Sequence, residues 1–360
     1  MPSTPARSWA VGLAAAIVGP WGLAAVPASP ASIYELSLEK LAELVVTDTK
    51  IAQPHGTVTQ KLETLRAGEL ELVALPQRNL AELLRYTAGQ FVNPLSRNDA
   101  NWGSYAGLGP KYNTYLLDGL PIDSFADAMS LDVWAVESVE VHKGPASVLY
   151  ANYLSMDFAG NEMSLAGLTH FRLKDRIDAA STRLAVGYGA YNTYTARFYH
   201  QDRRGDLGYF VGGSYERSDY TDYGLEDSWL HTVQSPRYDK TKVYAKVAYA
   251  FGDDRQKLSL FVQRTDHQGD TGRPNRDFAN RYETVNAIYS NQLGEAWNLQ
   301  LKSGFRSYDR RWEEDNYPVD LGLRERDGVV QKIYPSDLTL NFQHAGNSML
   351  TMGGDFQWAS

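Results

Sequence analysis

The side chains able to do chemistry are thinly spread. The seven histidines lie far apart and cysteine is absent, which removes thiolate metal sites, disulfide frameworks and thiol nucleophiles. Paired carboxylates such as Glu313 and Asp315 would suit acid and base roles in a secreted hydrolase. Acidic groups in polar stretches are ordinarily just solvated, and no nucleophile elbow, phosphate loop or metal-ligand cluster accompanies them. The sequence therefore offers no catalytic residue, no metal ligands and no cofactor. It does offer arginine mixed with aromatic rings in three long polar stretches: Tyr220, Tyr223 and Trp229, then Arg273 and Arg276, then Trp312 and Tyr317. Guanidinium groups and rings together could hold an anionic metal chelate or stack on a sugar. Tyr220, Trp229, Arg273, Arg276 and Trp312 are thus the candidate ligand contacts.

The elements that must position these groups follow from composition and pattern. The chain has 360 residues, enough for two or three domains, with 35 Lys and Arg against 43 Asp and Glu. The net charge of −8 argues against a nucleic-acid partner, which would require clustered cations. Twenty-three tyrosines, eight tryptophans and 30 glycines suit a β-rich protein with half-buried rings. Arg7 is the only charged side chain in the first 28 residues; the apolar run 9–26 follows it, and Val26-Pro27-Ala28 closes it with small residues. That is the pattern of a secretory signal over 1–28, with a membrane anchor as the other reading of the same run. No later stretch is apolar enough for a spanning helix, so membrane residence would require a β-barrel. Residues 29–60 form a lead-in with helical spacing over 36–44. Residues 61–178 mix short elements, with a helix expected over 80–86 and strands over 115–117 and 139–141.

From about residue 179 to the end the text alternates with period two. Val243, Ala245, Val247, Tyr249 and Phe251 interleave with Lys242, Tyr244, Lys246, Ala248 and Ala250. Nine such strands are expected, at 182–189, 192–201, 207–218, 238–251, 256–266, 281–293, 297–309, 329–344 and 348–360. A soluble sandwich alternates too. The connectors favour an outer-membrane barrel, because tight turns at 202–206, 252–255, 294–296 and 345–347 alternate with long loops at 219–237, 267–280 and 310–328. The connector at Ala190-Tyr191 is short and departs from that rule. At this spacing a barrel of about 22 strands would need about 440 residues, so the sequence is expected to carry only part of one.

Three motifs precede this wall. Val136 to Tyr150 runs from the strand Val139-Glu140-Val141 through Lys143-Gly144-Pro145-Ala146-Ser147 to Leu149-Tyr150. Leu116-Leu117-Asp118-Gly119-Leu120 is a strand with an Asp-Gly turn. Glu43-Leu44-Val45-Val46-Thr47 is a short β-prone segment. In this order, over roughly residues 41–360, the sequence resembles a TonB-dependent outer-membrane receptor. Two stretches differ from the usual family pattern, at Asn101-Trp102-Gly103-Ser104-Tyr105 and after Tyr150.

The resemblance implies an α+β plug domain over 61–178, followed over 179–360 by part of a transmembrane antiparallel β-barrel, here about nine of roughly 22 strands. It implies that Glu43, Leu44, Val45, Val46 and Thr47 form the segment gripped by a TonB-type inner-membrane energy-coupling protein, by strand addition. Asp118, Gly119, Lys143, Gly144, Pro145, Ala146, Ser147 and Tyr150 would be plug signature positions. The implied activity is import of a scarce small molecule, by default a ferric siderophore, with outer-membrane lipid around the barrel and no enzymatic step. Arg197, Lys242, Lys246, Lys302 and Arg306 are expected to face the lumen as ordinary solvated positions. A passive pore or structural outer-membrane protein is the alternative, which a plug-like segment disfavours.

Overall fold

The computed structural model describes residues 45–46, 50, 53–54, 62–66, 84, 87–93, 102–105, 107–108, 112–123, 130–144, 150, 153–154, 161–162, 165–175, 177–219, 237–251, 255–270, 276–294, 296–316, 319–320, 322–344 and 348–360. The expected signal over 1–28 and the helical spacing over 36–44 lie outside the described residues, as does the helix over 80–86 except for Leu84, which is helical and buried.

Two short strands, β1 (Val45–Val46) and β2 (Gln53–Pro54), pair antiparallel in the lead-in. The next domain is built on one mixed sheet of β3 (Leu62–Arg66), β6 (Asn113–Leu117), β7 (Leu120–Ile122), β8 (Val136–Lys143) and β11 (Gly167–Leu173), in the order β3-β8-β11-β6-β7. Two side hairpins complete it, β4 (Gln90–Asn93) with β5 (Trp102–Tyr105) and β9 (Tyr153–Leu154) with β10 (Asn161–Glu162). Every residue of β6 is buried, so both faces of the strand are covered and its sequence, Asn113-Thr114-Tyr115-Leu116-Leu117, does not alternate. Asp118 and Gly119 join β6 to β7 with φ of +50° and +84°, the pair of left-handed residues that a two-residue hairpin requires. The Asp118 backbone N–H donates to Phe171 O (2.9 Å), and its carboxylate accepts from Leu173 N–H (2.8 Å), fastening the turn to the end of β11.

The second half is a nine-stranded antiparallel wall, each strand bonded to the next: β12 (Ser181–Gly189), β13 (Thr193–Arg204), β14 (Leu207–Ser218), β15 (Tyr238–Phe251), β16 (Gln256–Gly269), β17 (Phe278–Leu293), β18 (Trp297–Asp315), β19 (Leu323–His344) and β20 (Ser348–Ala359). All nine expected strands are present. The later ones run further than expected, to 19 residues in β18 and 22 in β19. The stretch expected as a loop over 310–328 is mostly ladder, with Arg310 opposite Val329 and Glu313 opposite Arg326. Its charges broke the alternation, but backbone pairing does not depend on side-chain polarity, and the Glu313–Arg326 ion pair (2.8 Å) ties the ribbon across. Trp312, Glu313 and Asp315 are therefore strand residues rather than loop residues. The stretch 267–280 is corrected in the same way at both ends, leaving a connector of 270–277.

One face of the wall exposes Leu184, Val186, Val211, Val243, Val247, Leu260, Leu301 and Leu338. Aromatic contacts sit near its two ends, Tyr188 with Tyr194 at the loop side and Trp297 with Phe342 at the tight-turn side, as the two girdles of a lipid-facing barrel do. Among the described residues no helix is long and apolar enough to cross a membrane. The opposite face of the wall packs on the mixed-sheet domain.

Candidate functional site

The inner face of the wall meets the domain beneath it through cations. Both Asp132 oxygens accept from Arg197 at 2.6 Å, and the guanidinium lies 4.6 Å from the Trp134 ring centroid. The same Asp132 caps the 3-10 turn Val133–Ala135, accepting from Trp134 N–H at 2.9 Å. Asp118 has a matching double duty, because its second oxygen accepts from Lys246 at 2.9 Å while its first holds the β11 backbone. Lys246 also lies 3.4 Å from Asp175, which pairs closely with Lys257. Lys242 donates to Leu131 O (3.4 Å), Arg306 to Pro121 O (3.2 Å) and Asn286 to Leu117 O (3.2 Å). The Lys302 ammonium rests against Gly119. Of the five cations expected to be solvated in a lumen, Lys242, Lys246, Lys302 and Arg306 are thus buried against the inner domain and Arg197 is half-buried against it. The domain has displaced the water, so each cation needs a protein partner.

The contact has two characters. Along β13–β16, Tyr199, Phe210, Tyr244 and Phe261 join one apolar cluster with Leu131, Val133, Trp134 and Val136. Trp134 meets Tyr199 edge-on at 6.4 Å. Gly212 makes room for the Tyr244 ring, which a Cβ there would meet at 2.5 Å. Along β15–β20 the contact is ionic and carries a cavity of about 150 Å³, lined by Lys50, Asp118, Lys246, Lys257, Gln300 and Lys302. Lys50, from the lead-in, reaches both Asp337 (2.5 Å) and Asp355 (2.7 Å) of the wall.

A polar cluster also occupies the mixed sheet. Glu140 is fully buried, with His142 Nε2 at 3.7 Å, His170 Nδ1 at 3.8 Å and Arg172 at 3.4 Å. Burial alone would raise its carboxyl, but the two imidazoles and the guanidinium outweigh that and hold it well below the usual carboxylate range. Burial lowers His170, against the pull of Glu140. Sequence reasoning passed over this cluster, although Glu140 and His142, alternating with Val139 and Val141 in one strand, were the available signal.

The other expected positions fall as follows. Gly144 has φ +95° and donates its N–H to Ala166 O, turning the chain at the end of β8. Lys143 pairs with Glu63 at 2.5 Å, and Tyr150 is buried with Leu116 and Leu168. Val45 and Val46 are the strand β1. Glu43, Leu44, Thr47, Pro145, Ala146, Ser147, Tyr220, Trp229 and Arg273 lie outside the described residues. Arg276 and Trp312 come to the same loop-side end of the wall, where Arg276 is held by Asp315 (2.8 Å) and Trp312 Nε1 donates to Glu314 (3.2 Å). Trp312 borders a cavity of about 500 Å³ with Asp277, Phe278, Arg311 and Val330. Burial and the neighbouring Asp270 carboxyl push Asp277 up to about 6.

Residues 57–153 match the family described as TonB-dependent Receptor Plug Domain. Solved structures share the fold over 83–88% of this chain. The copper transporter OprC has a TM-score of 0.67 at 14% identity, over 84% of this chain and 47% of that one. The siderophore receptor PirA from Acinetobacter baumannii has 0.63 at 12%, over 83% and 48%. The ferripyoverdine receptor of the outer membrane of Pseudomonas aeruginosa, bound to ferripyoverdine, has 0.62 at 13%, over 88% and 44%. The chain spans about half the length of these structures. The plug match and the strand wall together place it in the outer membrane.

Proposed function

We propose that this chain, whose residues 57–153 match the plug family and whose fold is that of solved outer-membrane receptors, is a TonB-dependent receptor comprising the plug domain and part of the barrel, and that it serves active import of a scarce ligand through the outer membrane. The observation that carries the reading is the ionic seam between plug and wall along β15–β20. A plug that must shift and return is best held by contacts that water can replace. A hydrogen bond exchanged for water changes stability by about 0.5–1.5 kcal/mol, or about 1.5–3 kcal/mol where one partner is charged, and can be traded for water or another partner one contact at a time, whereas prising apart an apolar seal exposes its whole surface at about 25 cal/mol per Å². Energy enters at residues 43–47, where a TonB-type inner-membrane protein adds a strand to the extended segment. The default cargo is a ferric siderophore, a choice supported by the siderophore receptors among the similar folds. A copper-bearing ligand is the second candidate on the same grounds. Arg276 and Trp312, with Tyr220, Trp229 and Arg273, are the proposed contacts for an anionic chelate.

The test is deletion of residues 43–47, with ferric siderophore binding at the cell surface and uptake into the cell measured separately. Binding retained with uptake lost is the expected result. Unchanged uptake would refute energy coupling through this segment.

A further inference from the structure

Lys50 sits in the connector between β1 and β2, three residues beyond the segment 43–47, at a left-handed φ of +61°. Its ammonium is buried between the carboxylates of Asp337 and Asp355, which face each other across β19 and β20. Facing like charges on neighbouring strands repel, so Lys50 both tethers the lead-in to the barrel and neutralises the pair. Pulling Lys50 away would leave the buried Asp337 carboxylate facing the partly exposed Asp355 without the cation between them, a state that a low-dielectric interior disfavours. A tether of this kind releases at lower cost where a substitute cation is at hand.

The wall carries one. Lys302 on β18 is the direct cross-strand partner of Asp337, on the side opposite Asp355. It is 6% exposed, and among the described residues it makes no ion pair within 4 Å. Its ammonium lies over Gly119, at a point 2.3 Å from where a Cβ would stand, so the absent side chain provides its resting place. Lys50 and Lys302 line the same cavity, which gives the Lys302 head room to swing.

We propose that Lys302 is the stand-in cation of an exchangeable tether: when Lys50 leaves Asp337, Lys302 takes its place, and the lead-in is freed without leaving a naked buried charge. Exchange converts a contact that should lock the lead-in into one that a modest pull can open. The exchange stands on the geometry alone; its role in presenting residues 43–47 rests on the transport reading above.

The absence of cysteine allows a single spin label through Thr47→Cys in the otherwise unchanged chain. Label mobility is followed by electron paramagnetic resonance during a urea titration, alongside global unfolding. Lys50→Gln should leave the label mobile without urea. Lys302→Met should reduce the mobile fraction at a given urea concentration on the order of ten-fold, because the competitor for Asp337 is gone. Lys302→Arg should behave as the parent chain does. A lysine that merely braces the wall would give the opposite sign, so earlier release in Lys302→Met overturns the proposal, as does an unchanged titration. Should Lys302→Met fail to fold, Asp355→Asn provides the second measure: one facing carboxylate instead of two should make release easier, and no change there overturns the proposal as well. Exchange observed together with uptake unaffected by loss of residues 43–47 would sink the transport reading and leave the tether standing.

Discussion

The plug is held on two faces that obey different physics. Toward β13–β16 it meets mainly rings: Trp134 against Tyr199, and beyond them Phe210, Tyr244 and Phe261 in one cluster, with the Arg197–Asp132 pair beside Trp134. Toward β15–β20 it meets charges and carbonyls: Lys246 on Asp118, Arg306 on Pro121, Asn286 on Leu117 and Lys50 on Asp337. Apolar packing resists separation whatever the solvent offers, and close packing penalises even small gaps. Ion pairs and hydrogen bonds resist only until water or another partner replaces them. The difference teaches which face can open. On the transport reading proposed above, the aromatic face would be the anchor, and the ionic face, with its cavity, the side along which a path would form.

The largest expected effect lies on the aromatic face. Trp134→Ala should destabilise plug docking by about 3–5 kcal/mol, read as a lowered midpoint for plug release in urea. A cost no greater than that of a single polar substitution on the other face would break the division. Next comes Gly119→Ala at the edge of the cavity. A left-handed φ for a residue with a Cβ costs about 1–3 kcal/mol, and the new methyl would also collide with the Lys302 ammonium. The same urea titration measures it, and a neutral result would mean that the Asp-Gly turn is not held in this conformation. Asn286→Ala should cost only about 1 kcal/mol, one exchangeable hydrogen bond to Leu117 O.

Much of this arrangement was legible in the sequence, and the remainder was hidden for definable reasons. Alternation and tight turns located all nine wall strands, because a strand between lipid and a wet interior must alternate. They also showed that Arg197, Lys242, Lys246, Lys302 and Arg306 point inward. Nothing local could show what they meet. Lys246 and Asp118 are 128 residues apart, and Lys50 and Asp337 are 287 apart, so the partnerships exist only in the folded chain. Asp118 was legible as a turn residue and invisible as an ion-pair partner. Trp312 was misread as a loop residue because its charged neighbours broke the pattern, while backbone pairing carried the ribbon on regardless. Glu140, His142 and His170 went unremarked because a buried polar cluster imposes no periodicity.

The smallest expected effect sharpens the comparison most, since it should touch one face only. Burial places the folded-state pKa of His170 below its free value of 6.5. As pH falls below 6.5 the unfolded chain takes up that proton first, so stability declines until the folded-state pKa is passed. Glu140 has a folded-state pKa well below 4.5; its contribution is complete above 4.5 and is lost as pH falls through the folded-state value. Acid should therefore loosen the plug in two stages, and His170→Asn should remove only the first. Hydrogen exchange, corrected for the intrinsic pH dependence, reads this amide by amide. The amides of β8 and β11 beside Glu140 and His170 should lose protection as pH falls below 6.5, while those of Val133–Ala135, packed among Tyr199 and Phe210, should not. If both sets lose protection together, the plug opens as one cooperative body, and the two faces cannot act as anchor and gate.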